Sequence, residues 1–226
     1  MDLQLADRVA LVVGGKGYIG AAVADRLRAE GATVVVASRS AGADGVAIDT
    51  ASQESVDAGV REVLDRHGRI DVLVVTAAPS AGTLDPAKKS DPDQVADAID
   101  GKALGFLRVA NAVLPGQRDA GFGRVVVISG QNAYISGNIT ASLRNAATNV
   151  IAKNLADESA GSGVTVNVVN PGTVTDEPSG SVQRGAGGES SPQQIADLVA
   201  FLSSPLSVVS GESISIAHRM LGSVSV

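Results

Sequence analysis

The stretch Val9-Ala-Leu-Val-Val-Gly-Gly-Lys-Gly-Tyr-Ile-Gly20 decides how the rest of the chain is read. A valine-rich run of five apolar residues has the composition of a buried strand, and it empties directly into a glycine-dense turn. Glycines at 15, 17 and 20 satisfy G-x-G-x-x-G, and those at 14, 17 and 20 satisfy the looser G-x-x-G-x-x-G. So tight a turn needs positive φ at some positions and no Cβ where phosphates come against the main chain. The segment Ala21 to Glu30 then predicts a helix, with Ile19, Ala22, Val23 and Leu27 on one face and Gly31 as its stop. The free N–H groups and positive dipole end of its first turn suit a pyrophosphate. Strand, turn and helix together read as a dinucleotide-binding loop, with Gly14, Gly15, Lys16, Gly17, Tyr18, Ile19 and Gly20 as candidate contacts.

Bulk composition narrows the partners. With 226 residues, 44% hydrophobic and 19% charged, residues 1–226 are expected to form one domain with ample core. A formal net charge of −6 argues against nucleic acid, since no basic stripe is present to displace counterions from phosphates. The absence of cysteine excludes disulfides, thiolate nucleophiles and Cys-based metal sites. The opening residues carry acids rather than a basic leader, and no apolar run reaches membrane length, so a cytoplasmic protein without membrane contact is expected. His67 reads as a cation at a helix C-terminus. His218 has no second histidine or acid cluster near it, so no metal site is expected.

Further strand-like runs fall at 33–37, 46–48, 71–75, 124–129, 164–169 and 212–216, with the first at 8–13. Near-continuous Val/Leu/Ile runs alternating with amphipathic helices predict a doubly wound α/β fold. It has a parallel sheet of about seven strands and helices on both faces, a Rossmann arrangement. Long helices are expected at about 91–116 and 141–160, and another begins at Ser191-Pro192, with Ser as N-cap and Pro in the first turn. Only Ser40 to Gly45 separates the second and third strands, which predicts a bare crossover loop. The Gly/Ser-rich segment 178–191 predicts a mobile loop where such enzymes carry a substrate lid.

The ends of the strands supply the remaining cofactor candidates. After the second strand stand Ser38 and Arg39. An acid there would accept hydrogen bonds from the ribose 2′-OH of NAD, whereas Arg suits the 2′-phosphate of NADP. These residues therefore favour NADP(H) over NAD(H); the bland alternative is that Arg39 is a solvated loop charge. Asp49 and Thr50 follow the third strand on the adenine side, and Thr76, Ala77, Ala78 and Pro79 follow the fourth on the ribose side.

The glycine loop, Asp49, Ile70-Asp-Val-Leu-Val74 with Thr76-Ala-Ala78, Ala112-Val-Leu-Pro115, Gly123 to Ser129, Val166-Asn-Val-Val-Asn-Pro-Gly172 and Val209 to Ser213 together resemble the short-chain dehydrogenase/reductase family over nearly the whole length. The resemblance implies an oxidoreductase fold, a nicotinamide pocket lined by Pro171, Gly172 and Val174, and assembly into dimers or tetramers through the two long helices and the C-terminal strand. The chain departs from the pattern in the cofactor loop. Val13 replaces the Thr before the first glycine, the middle glycine falls on Tyr18, and the N-N-A-G motif becomes Val75-Thr-Ala-Ala78. Tyr18 could swing outward or cover the cofactor.

The departures continue at the positions the family uses for catalysis. Counting back from the strand at 166–169 places its Tyr on Ala141, its Lys on Asn145, its Ser on Gly130 and its helix Asn on Lys102. Lys102, Ser129 and Tyr134 are the candidate substitutes. Three readings follow: a catalytically degenerate subunit that partners an active relative in a homo- or hetero-oligomer, an active NADPH-dependent oxidoreductase with non-standard acid-base residues, or an NADP-responsive binding protein.

Overall fold

A computed structural model describes residues 2–40, 42, 45–78 and 84–221. The glycine-rich stretch forms β1 (Val9–Val13) and the start of α1 (Tyr18–Ala29). The chain continues through β2 (Thr33–Ser38), β3 (Val46–Ala47), α2 (Gln53–His67), β4 (Val72–Val75), α3 (Pro92–Ile99), α4 (Gly105–Asp119) and β5 (Gly123–Ile128). It ends with α5 (Ile139–Glu158), β6 (Val164–Asn170), β7 (Thr173–Val174), β8 (Glu189–Ser190), α6 (Pro192–Ser203) and β9 (Ser213–Ser215). Seven strands form one parallel sheet in the order β3-β2-β1-β4-β5-β6-β9. The strand order reverses between β1 and β4. Their carboxyl ends therefore open a crevice, the place where ligands bind in such sheets.

The period-two alternation of a strand divides the core. Leu73 and Val75 of β4 and Val125 and Val127 of β5 pack with the apolar side chains of α2, α4 and α5. Val72, Val74, Val126 and Ile128 face the opposite way, onto α1 and α6. Both faces are covered, which is why these strands read as unbroken apolar runs. Helix ends follow local chemistry. Ser191 and Gln194 form a reciprocal capping box at α6, and Gly68, at φ 75°, ends α2 directly after His67.

Several features differ from the sequence expectation. Helix α1 begins at Tyr18 rather than 21, because Gly20 belongs to its first turn. The last strand is limited to Ser213–Ser215 and the third to Val46–Ala47. The expected helix at 91–116 is continuous but contains a π-helical turn, Asp100–Leu104, between α3 and α4. The segment expected as a mobile loop carries β8, which pairs in parallel with β7, and its Gly185 and Gly188 amides donate to the carbonyls of Leu221 and His218. Part of the crossover expected between β2 and β3 and Pro79 lie outside the described residues.

Candidate functional site

The crevice begins at the glycine turn. Gly14 has φ +86°, and a Cβ on it would stand 2.6 Å from the Ala77 nitrogen. A Cβ on Gly20 would overlap the Gly14 carbonyl. These two glycines let β1, the start of α1 and the Thr76-Ala77 backbone come together. Gly17 is the N-cap of α1 and brings no side chain to the first-turn N–H groups, which remain available to an anion. Gly15 packs against Val36, with a Cβ position 2.8 Å from that side chain, and lines neither cavity described next.

Two cavities flank this turn. One, of about 480 Å³, is lined by Gly14, Lys16, Gly17, Ser38, Arg39, Asp49, Thr50, Thr76, Ala77 and Ala78. Lys16 Nζ donates to the Ser40 carbonyl at 2.6 Å, and Ser38 Oγ donates to the same oxygen at 2.8 Å, so a cation, not an acid, borders the end of β2. Asp49 Oδ1 accepts from the Ala51 amide at 3.1 Å. The other, of about 600 Å³, takes Tyr18, Ile19 and Gly20 from the helix start, Lys102 from the π turn, and Ser129 and Gly130 from the end of β5. Arg144, Asn145, Pro171, Gly172 and Val174 complete its walls. Gly17, Thr76 and Ala78 line both, so the cofactor candidates other than Gly15 share one continuous crevice.

Lys102 is 6% exposed, and its Nζ donates to the Ser129 carbonyl at 2.9 Å and to Asn145 Oδ1 at 2.7 Å. Burial pushes its ammonium down to about 7, and the nearby Arg144 guanidinium pushes the same way. The π turn places it there, an extra residue in a helical turn being a recurrent device at functional sites. Ser129 Oγ donates to the Asn145 carbonyl at 3.1 Å. A Cβ on Gly130 would lie 3.2 Å from Asn145 Nδ2, so 102, 129, 130 and 145 form one cluster. Ala141 is buried one turn before Asn145 on α5.

Tyr134 is not brought into this cluster. Its hydroxyl accepts from Asn149 Nδ2 at 3.4 Å and Asn170 Nδ2 at 3.3 Å, its ring lies under the Arg219 guanidinium, and it does not line the crevice. Three features escaped the sequence reading. Arg144 faces inward; its signal was a charge on the stripe formed with Ala141, Thr148 and Ala152, all buried. Gln131 also lines the larger cavity. Tyr18 donates to Asp176 Oδ1 at 2.5 Å, tying the start of α1 to the segment after β7; no local pattern signals a pair 158 positions apart. Among the described residues no group of acids and histidines could hold a metal ion, and no helix is long and apolar enough to cross a membrane.

The family model described as short chain dehydrogenase matches residues 8–185. The chain belongs to that family. The subunit BbsC of (2S)-[(R)-hydroxy(phenyl)methyl]succinyl-CoA dehydrogenase from Thauera aromatica is 34% identical, over 92% of either chain. Acetoacetyl-CoA reductase of Shinella zoogloeoides is 33% identical over 92% of this chain and 96% of its own. The short-chain dehydrogenase fold also aligns with the crystal structure of levodione reductase at a TM-score of 0.82 and 21% identity, covering 95% of this chain and 97% of that one.

Proposed function

We propose that this short-chain dehydrogenase is an NADP(H)-binding subunit that has given up the family's acid-base set and works in an assembly with a catalytically complete relative. The observation that carries the reading is the identity of four residues at the nicotinamide end: Gly130, Ala141, Asn145 and Lys102 where the family places Ser, Tyr, Lys and Asn. A nicotinamide held here would supply a hydride to a carbonyl carbon, and the carbonyl oxygen would then need a proton and a hydrogen-bond donor from the chain. Gly130 and Ala141 offer neither. Losing general acid catalysis costs about 10²–10⁴ in rate, and losing an oxyanion donor about 10²–10³. The Thauera relative is itself named as one subunit of a dehydrogenase, which supports a divided assembly. Exposed Leu104 on the π turn and Ile139, Leu143 and Val150 on α5 supply apolar surface for a second subunit.

The crevice fits a dinucleotide on chain grounds alone, with Gly14 and Gly20 keeping its floor free of Cβ atoms and the first turn of α1 open to the pyrophosphate. Lys16 and Arg39 line the cavity at the end of β2 and favour a 2′-phosphate. Arg39→Ala is expected to weaken NADPH binding about tenfold, the order of one charge-assisted contact, while leaving NADH unchanged. Calorimetric titration with each cofactor checks this, and equal losses for both would remove Arg39 from the specificity argument.

Relatives are named for acyl thioesters, so acetoacetyl-CoA with NADPH is the first substrate to try. The isolated chain is expected to show no turnover above blank and to co-purify with a complete short-chain dehydrogenase when the two are expressed together. Robust turnover by the chain alone would overturn the reading. A second reading, an active NADPH-dependent oxidoreductase, is favoured by one observation: buried Lys102, brought down to about 7, lines the same cavity. The same assay separates the two, because this reading requires turnover that disappears in Lys102→Met.

A further inference from the structure

The walls of the larger cavity have an unusual charge. Lys102 and Arg144 line it, both buried, and no carboxylate does so among the described residues. The chain as a whole carries 24 acidic residues against 18 Lys and Arg. Elsewhere several cations meet carboxylates, and Arg124, as buried as Arg144, donates to the carbonyls of Gly123, Gly163 and Ser204 and lines neither cavity. Arg8 and Arg69 meet Asp71, Arg108 meets Asp100, and Arg26 meets Glu30 and Asp197. Lys102, more buried than any of these arginines, has only the neutral oxygens of Ser129 and Asn145.

An ammonium held out of water without a negative partner is costly, and a second cation facing the same space adds to the cost. Such an arrangement is repaid when a ligand brings the missing charge. The rest of the wall says what kind of ligand. Ile128, Ile135, Pro171 and Val174 give the cavity an apolar side that a bare inorganic ion would not use, and its volume of about 600 Å³ exceeds what such an ion needs. Gly130 keeps the space beside Asn145 open, since any Cβ there would press on Asn145 Nδ2 at 3.2 Å.

We propose that this cavity binds the carboxylate of a small organic acid, with Lys102 and Arg144 as its charged contacts and Ile128, Ile135 and Val174 against its carbon skeleton. The inference is about binding and holds with or without turnover or a partner subunit. It also gives the lowered Lys102 a consequence. A carboxylate drawn to this wall restores the charged form, so binding at pH 8 takes up a proton that binding at pH 6 does not. The groups facing Lys102 are Arg144 and Asn145 from α5 and Ser129 from the end of β5, and of these only Arg144 is charged.

The test is calorimetry on the full chain without dinucleotide, comparing 3-methylbutanoate with 3-methylbutanamide, which share a shape and differ in charge. The acid is expected to bind at least about tenfold more tightly, as for a hydrogen bond to a charged group. Lys102→Gln and Arg144→Gln are each expected to bring the two probes together, and should either fail to fold, the comparison on the natural chain still decides. Lys153→Gln, which removes an exposed lysine paired with Asp157, is expected to leave the preference intact. Proton uptake at pH 8, read from the dependence of the heat on buffer, is expected with the acid alone. Equal affinity for acid and amide, no binding of the acid at about ten times a millimolar Kd, or an equal loss in Lys153→Gln would each overturn the proposal.

Discussion

Lys102→Met is expected to flatten a rise of stability with pH that is expected of the natural chain above neutrality. The folded-state value of Lys102 is lowered to about 7 from its ordinary 10.5, so between those two values the unfolded chain holds a proton that the folded one has released. Stability then rises with pH across this window. Below it both states are protonated, and the folded state bears the full cost of the buried ammonium. One proton of difference is worth about 1.4 kcal/mol per pH unit, which gives about 2 kcal/mol between pH 7 and pH 9. Other groups that titrate in the window are common to both proteins, and comparing the two slopes cancels them. Absolute stability at one pH is a poorer readout, because Met removes the Lys102 donor from Ser129 O and leaves Asn145 Oδ1 with the 3.5 Å contact from Ser129 Oγ. Urea melts of both proteins at the two pH values decide the matter: parallel changes would mean that Lys102 is solvated and titrates normally.

Gly14→Ala is expected to lower the melting temperature by roughly 10 °C and to abolish dinucleotide binding. A non-glycine residue at φ +86° costs about 1–2 kcal/mol. Overpacking against backbone adds about 1–3 kcal/mol, and here the new methyl would meet the Ala77 nitrogen and Thr76 Oγ1, each at 2.6 Å. About 3 kcal/mol in all, at 2–4 °C per kcal/mol for a chain of this size, gives the shift. Binding suffers with stability because Thr76 and Ala78, on the displaced segment, line both cavities. Gly116→Ala is the control. It sits in α4 with nothing within 4 Å of its Cβ position, so it is expected to be neutral or slightly stabilising. Similar melting temperatures for the two variants would show that the glycine turn is not under the constraint described.

The sheet was legible because its residues carry the signal locally. Valine-rich runs mark β1, β4 and β5, and Ser191-Pro192 followed by Gln194 marks the start of α6. The crevice was legible for the same reason, since strand ends and a glycine turn identify it before any side chain is placed. What escaped depends on contacts between distant parts of the chain. A π turn has no composition of its own, so helix 91–116 gave no sign that Lys102 stands on one. β7 and β8 are two residues each and exist only by pairing across the intervening loop. Tyr134 comes from a short connection after β5, and its hydroxyl meets Asn149 and Asn170, partners from α5 and β6 that no local pattern announces. The glycines at 17 and 20 suggested a loop longer than the one formed, because Gly20 was needed for helix packing rather than for a turn.

The hydrogen bond from Tyr18 to Asp176 bears on time rather than on affinity. It joins the start of α1, which lines the crevice, to the segment just after β7, so Tyr18→Phe is expected to speed the departure of a molecule seated beside it. A slow dissociation phase in stopped-flow fluorescence that is lost in Tyr18→Phe is the expected signature.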